Sequence, residues 1–241
     1  HGLLTEHMKP AIVFFHGGGW SGGEKEQFHV QCAYLAAKRG FAAATAAYRL
    51  SGEALFPAAV EDAKCAVRWL RSVAKERGLF SNRIAAGGGS AGAHLAAMVA
   101  LTPGRFEGAG GHAGVSSRPD ALVCFNAPTD LELRARDSGT RENVVKWLGG
   151  EYEQQIDRYR EASPAKYVSP QAPPALFLHG EADETVLCEQ SKIMYRRYRE
   201  AGVHGELVAY PGQAHGWYNG PGACWETLQR VEKFLVERFG L

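Results

Sequence analysis

The chain has few cysteines, no long apolar run and almost no net charge, and each shortage removes a class of answer. Five cysteines (Cys32, Cys65, Cys124, Cys188 and Cys224) are odd in number and form no C-x-x-C pair or regular spacing. That pattern argues against a zinc site and a disulfide framework, leaving one Cys188–Cys224 bridge open as the alternative to buried thiols. No apolar stretch approaches the roughly 20 residues that span a bilayer, so no membrane partner is expected. The 27 lysines and arginines against 26 aspartates and glutamates leave a net charge of +1, which supplies no basic field for nucleic acid. An initiating methionine is also missing. The chain begins at His1, so a processed or trimmed start is expected and the compartment stays undetermined.

What is present is a foldable chain with too much glycine. Across 241 residues, 45% are hydrophobic and 22% charged, enough apolar surface to offset ordering entropy in one large domain. The 29 glycines make up about 12% of the chain, where roughly 7% is usual. Fourteen of them fall in three stretches, residues 17–23, 87–92 and 104–114. Clustered glycine marks backbone that turns sharply or approaches something closely.

Short apolar runs alternate with amphipathic stretches along the chain. Strands are expected at 11–15, 41–48, 83–87, 121–126, 175–179 and 206–210. Helices are expected at 24–39, from Pro57 towards a stop at Gly78, and at 90–101, 187–201 and 223–239. This alternation is the signature of an α/β fold, a mainly parallel sheet with helices on both faces. No repeat or low-complexity linker divides it, so residues 1–241 read as a single domain. Two stretches break the rhythm. Residues 102–119 are glycine-rich and expected to form a flexible loop, and residues 130–174 form an insertion with helical pieces near 143–148 and 152–162, expected over the strand ends as a small cap.

The chemistry concentrates at three points. Gly88-Gly-Ser90-Ala-Gly92 matches G-x-S-x-G between an expected strand and helix, where a tight turn lifts a serine hydroxyl above the sheet and the helix N-terminus favours negative charge. His16-Gly-Gly-Gly-Trp20 follows the first strand, and bare backbone there can aim N–H groups at an oxyanion. Those of Gly18, Gly19 and Ala91 are assigned to the oxyanion hole. A phosphate-binding loop is the competing reading, weakened by the lack of G-x-G-x-x-G or G-K-[ST]. A hydroxyl nucleophile needs a base and the base an orienting acid. His215 lies just past the last strand, whereas His94 faces away on the following helix and His179 reads as structural. Asp183 follows the penultimate strand, with Glu181, Glu184 and Asp130 as rivals, Asp130 fitting better as a helix cap. The order Ser90, Asp183, His215 is that of the α/β-hydrolases.

On these motifs, with Ala47-Tyr-Arg-Leu50, Gly114-Val-Ser-Ser-Arg118 and Ala162-Ser-Pro164, the sequence resembles the α/β-hydrolase esterases. It is most similar to the branch that shares HGGGW and GGSAG with hormone-sensitive-lipase-like and acetyl or feruloyl carbohydrate esterases. The resemblance implies attack of Ser90 on an ester carbonyl, an acyl-enzyme, and water-driven release with His215 as base. It has one departure. Such proteins usually carry two more strands before the one that ends in the oxyanion loop, and only ten residues precede Ala11. The strand at 41–48 is therefore expected to present an open edge, covered by residues 1–10 or a second subunit, or left by a truncated start.

The leading expectation is a serine carboxylesterase for short-chain, acetyl-type esters, with a carbohydrate as one candidate alcohol and a homodimer as one candidate assembly. Trp20, Trp217 and Tyr218 are expected near the site, stacking on a sugar or aromatic acid or simply forming an apolar wall. The alternatives are an amide hydrolase such as an arylformamidase and a non-catalytic binding protein of the same fold. No metal or organic cofactor is implied.

Overall fold

The apolar runs become the strands of one sheet. β1 (Lys9–Phe15), β2 (Ala42–Ala46), β3 (Leu79–Gly89), β4 (Ala121–Phe125), β5 (Ala175–Gly180) and β6 (Gly205–Tyr210) pair in the order β2-β1-β3-β4-β5-β6, every pair parallel. This arrangement comes from a computed structural model that describes residues 8–136 and 141–241. Side chains alternate along a strand, so β1 feeds two cores. Ala11, Val13 and Phe15 pack with α2 (Ala58–Ser72), α3 (Ala91–Leu101) and α7 (Glu189–Glu200) on one face. Ile12 and Phe14 pack with α1 (His29–Arg39) and α8 (Pro221–Phe239) on the other. Helix α3 is buried on every side, which its run of alanine, leucine, methionine and valine permits.

Most expected elements form, with shifted ends. A 3-10 turn at Lys25–Phe28 precedes α1, so the expected helix begins later than its glutamate-rich start implied. Gly40 closes it at φ 66°, its N–H donating to Ala36 O at 3.0 Å. β3 starts at Leu79 rather than at Arg83, and it passes through exposed Ser81 and Asn82 before Ile84 enters the core. β2 lies at the rim of the sheet, as expected of a strand without its outer neighbour. Residues 9 and 10 do not cover that rim; they open β1, where Lys9 N–H donates to Gly78 O at 2.9 Å. Residues 1–7 lie outside the described residues.

Residues 130–174 hold more structure than their composition foretold: α4 (Leu131–Arg136), α5 (Arg141–Leu148), α6 (Ile156–Glu161) and 3-10 turns at Tyr152–Gln154 and Pro164–Tyr167. Asp130 caps α4, its Oδ1 accepting the N–H groups of Glu132 and Leu133 at 3.1 Å each. One and a half turns is too short for an apolar period, and α4 left no signal in the pattern. Residues 102–119, expected to be flexible, are tied down onto α2. The ammonium of Lys64, wholly buried, donates to Thr102 O at 2.7 Å, Glu107 Oε1 at 3.1 Å and Ser117 Oγ at 3.3 Å. Arg68 reaches Glu107 Oε2 at 2.8 Å and the carbonyls of Gly110 and Gly111. Burial pushes the Lys64 ammonium below its ordinary value, and the Glu107 carboxylate opposes that shift. All five cysteines are free thiols, so the Cys188–Cys224 bridge is not formed.

His94 is a wholly buried titratable group in the central helix α3. Its Nε2–H donates to Ala162 O at 2.7 Å, and its ring meets Trp20 and Trp147 edge-on at 5.1 and 5.2 Å. Burial lowers its pKa from 6.5 to about 4. A depressed folded-state value means stability that is present above 6.5 and lost as pH falls towards 4, because the unfolded chain binds the proton first. Replacing His94 by Leu is expected to flatten the fall of unfolding free energy between pH 6.5 and 4, measured by denaturant titration. An unchanged slope would show that the imidazole charges in place.

Candidate active site

Three backbones converge where β1 ends. Ser90 sits between β3 and α3 at φ 54°, ψ −122°, strained angles that the surrounding structure must enforce. Its N–H donates to Phe125 O at 2.9 Å, tying the turn to the end of β4. A Cβ at Gly88 would lie 2.7 Å from Phe15 O, and one at Gly92 only 2.5 Å from His16 O. A Cβ at Gly89 would strike the Tyr218 hydroxyl. Small residues two before and two after the serine are thus required by main chain on both sides.

The glycine loop after β1 faces that turn. Gly18 and Gly19 hold φ 117° and 59°, and a side chain on Gly18 would collide with Gly22 O. The loop is braced from several directions. Tyr48 stacks on His16 at 4.3 Å and donates its hydroxyl to His16 O at 2.8 Å. Gln27 Oε1 accepts Gly17 N–H at 2.6 Å, and Ser51 N–H donates to Trp20 O at 2.8 Å. Among the described residues, no hydrogen bond occupies the N–H groups of Gly18, Gly19 or Ala91, and Ala91 opens the first turn of α3, where such groups have no intrahelical partner.

The sheet brings the expected side chains together. His215 Nε2 lies 3.1 Å from Ser90 Oγ, and Nδ1 lies 2.7 Å from Asp183 Oδ2. Asp183, fully buried at its side chain, accepts the N–H groups of Thr185 and Val186 through Oδ1 at 2.9 and 2.8 Å, and His179 Nε2 stands 3.4 Å from Oδ2. Burial alone would push its carboxyl up, but the contacts with His179, His215 and the Val186 amide outweigh burial and hold it far below the ordinary carboxylate range. Asp183 is thereby held as an anion beside Nδ1 of His215, with Ser90 Oγ on the other side of the ring at Nε2. His179 itself is committed elsewhere, to Ser191 Oγ and Val186 O at 2.7 Å each. Among the described residues the carboxylate hydrogen-bonded to His215 is that of Asp183, and the rival Asp130 is taken up as the cap of α4.

A cavity of about 390 Å³ opens over Ser90 and His215, walled by the glycine loop, Gln27, Arg134, Asn143, Val186 and Tyr218 among others. The three aromatic residues expected here divide. Tyr218 lines the cavity, its ring among Phe28, Phe125 and Trp217. Trp20 touches the wall, but only 2% of it is exposed and its ring is stacked at 4.6 Å on Trp147. Its face is not available to a sugar. Trp217 is a correction: it packs into the core against Tyr210 and Tyr218 and does not reach the cavity. An apolar core position beside a histidine loop looks the same in sequence as a cavity wall.

Sequence reasoning missed Gln27, Arg134, Asn143 and Asn126. The first three reach the cavity from elements with no motif. Arg134 Nη1 donates to Thr185 O at 2.9 Å, and Asn143 packs directly on Gly19 and accepts from Ser21 Oγ at 3.3 Å. Asn126 did leave a signal, a polar residue immediately after a purely apolar strand beside the nucleophile strand.

Serine, acid and histidine in that chain order, each delivered past the end of its own parallel strand, is the arrangement of the α/β-hydrolases, and the chain falls on their esterase branch. It belongs to the BD-FAE family, whose model matches residues 4–198. It is similar to Esterase LipC of Mycobacterium tuberculosis, 32% identical over 223 residues, or 86% of this chain and 53% of that protein. It is also similar to an ethyl acetate hydrolase of Pseudomonas putida, 30% identical over 85% of this chain and 65% of that one. Among solved structures, the apo form of Thermogutta terrifontis esterase 2 superposes with a TM-score of 0.83 at 36% identity, covering 97% of this chain and 85% of that chain. The chain spans about half the length of LipC, LipM and LipQ, three of the mycobacterial relatives it matches.

The contact between β1 and the serine turn yields a direct test. Gly92→Ala is expected to cost on the order of 2 kcal/mol of stability, because backbone rather than a flexible side chain must move. Gly22→Ala, where a Cβ would meet nothing within 4 Å, is expected to be near neutral. Thermal unfolding of the two variants side by side decides, and equal midpoints would refute the packing account.

Proposed function

We propose that this protein is a serine carboxylesterase acting on short-chain acyl esters. The observation that carries the reading is the unbroken hydrogen-bond chain Ser90–His215–Asp183 at a strained strand-to-helix turn facing a glycine loop. In this reading Ser90 Oγ attacks the ester carbonyl while His215 Nε2 takes its proton. Asp183 holds the Nδ1–H and stabilises the imidazolium. The N–H groups of Gly18, Gly19 and Ala91 receive the oxyanion, which lowers the barrier by about 3–4 kcal/mol per well-placed donor. His215 then hands its proton to the departing alcohol, leaving an acyl-enzyme. Water, deprotonated by the same histidine, releases the acid.

The acyl group is short, acetyl to butyryl. Support comes from the cavity of about 390 Å³, from the relative named for ethyl acetate, and from structures of the T. terrifontis esterase with propionate or butyrate bound. On the alcohol side the amides of Gln27, Asn143 and Asn219 wall the cavity and suit a hydroxyl-bearing alcohol such as a carbohydrate. The 130–174 insertion acts as a cap within the same single domain, since its Asn143 and Arg134 complete the cavity wall.

Turnover of nitrophenyl acetate, butyrate and octanoate, acetylated xylan and N-formylkynurenine tests the reading. Acetate and butyrate are expected to exceed octanoate by about tenfold or more in kcat/KM, and Ser90→Ala to lose about 10⁴-fold or more. Undiminished turnover in Ser90→Ala would remove the nucleophile, and preference for the formamide would move the protein to the amide hydrolases.

A further inference from the structure

Gln27, beside the glycine loop, and Asn219, on the loop that carries His215, border a second space as well as the catalytic cavity. That space is a groove of about 530 Å³ between the first turns of α1 and α8. Gln27, Val30 and Gln31 line one side of it, and Pro221, Cys224 and Trp225 the other. Both triplets follow the i, i+3, i+4 step that gathers side chains on one face of a helix. No ionised side chain lines the groove.

The groove holds apolar surface out to water on a rigid support. Val30 and Trp225 are each 54% exposed. Trp225 is nevertheless braced: the Tyr34 ring packs on its indole at 5.7 Å, and the Tyr34 hydroxyl donates to Glu232 Oε2 at 2.5 Å, a carboxylate that Arg39 also holds at 2.6 Å. A braced, half-exposed indole beside a catalytic cavity is a surface prepared for a ring. Amides stand at the mouth and the floor. At the mouth, Gln27 Oε1 accepts the Gly17 N–H at 2.6 Å. A backbone N–H only donates, so this bond orients the amide and leaves its Nε2 as the donor end. An added Cβ at Gly17 would meet both Ser90 Cβ at 3.4 Å and Gln27 Oε1 at 3.5 Å, which puts that mouth within one residue's breadth of the nucleophile. At the floor, Gln31 is 2% exposed, and its Oε1 has no hydrogen-bond partner among the described residues.

We propose that this groove is a second sugar subsite: when Ser90 attacks an acetyl ester on a neutral oligosaccharide, the ring next to the acetylated one lies on Trp225. It rests on the esterase reading and extends the alcohol side of that reading. The groove joins the cavity at the loop that carries His215, where the leaving alcohol collects its proton, so it receives the alcohol rather than the acyl group. Its openness separates a sugar from an aryl alcohol. An aryl ring laid there keeps one face in water, whereas a pyranose turns C–H groups to the indole and hydroxyls to water and to the amides. The absence of ionised side chains from its lining fits a neutral sugar rather than a uronic acid.

A methyl monoacetyl-xyloside, with one ring, and a monoacetyl xylotriose, with three, test the proposal through the ratio of their kcat/KM values. The ratio is expected to favour the trisaccharide in the wild type, to fall about fivefold in Trp225→Ala, chiefly through KM, and to be largely restored in Trp225→Phe. A folding defect lowers both rates and cancels in the ratio, and a serine-phosphonylating reagent counts the competent sites. A ratio that Trp225→Ala does not move would overturn the proposal. With that ratio unmoved, a loss of preference for 2-phenylethyl acetate over ethyl acetate would assign the groove to aryl alcohols. A dimer in sedimentation that Trp225→Ala dissociates, again with the ratio unmoved, would assign it to a second copy of the chain. Each of these results overturns the sugar subsite and leaves the esterase reading standing. Acetate release that survives in Ser90→Ala would instead remove the reading on which it rests.

Discussion

Main chain pressed against main chain is the constraint on which the rest of this molecule depends. The carbonyls of Phe15 and His16, at the end of β1, lie so close to Gly88 and Gly92 that no side chain fits between them. That approach brings the bare loop at Gly18 and Gly19 and the serine turn to one cavity. It also explains why α3 is buried on all sides: a helix drawn this tightly onto the sheet is covered by the cap segment on its outer flank, where His94 bonds Ala162 O. Gly88 and Gly92 answer to this one contact, whereas Gly110 and Gly111 of the 104–114 stretch serve a different approach, onto Cys65 and Arg68 of α2.

Buried ionisable groups meet three different fates. Asp183 remains an anion because two histidines and backbone amides surround it. His94 is kept neutral by burial, with a carbonyl to take its one N–H. Lys64 remains beside Glu107, a carbonyl and a hydroxyl, anchoring a loop that has little apolar content of its own. Each solution supplies partners before it removes water, as the desolvation cost requires. Only the first of the three lies at the candidate site.

The sheet, its helices and the chain order of Ser90, Asp183 and His215 were legible because each rests on a local pattern: an apolar run ending in glycine, a glycine two residues either side of a serine, a polar residue just past a strand. What was not legible depends on tertiary packing or on elements too short to carry a pattern. Trp20 and Trp217 are aromatic residues beside motifs, yet Trp20 turns to Trp147 and Trp217 to Tyr210. Gln27 and Asn143 reach the cavity from elements that carry no signature, and α4 is too short to show a period. The anchoring of residues 102–119 was hidden for the same reason, since Lys64 and Arg68 read as an ordinary polar helix face until the loop folds over them.

The stacked pair Trp20 and Trp147 has a consequence of another kind. The rings lie 4.6 Å apart and 6° from parallel, close enough for their electronic transitions to mix. One indole is carried by the loop opposite Ser90 and the other by α5 of the insertion. The protein therefore contains an optical gauge of how α5 sits on the glycine loop, one indole on each side of that contact. A sliding of α5 by a fraction of a ring width would change the circular dichroism of the pair and need no attached label.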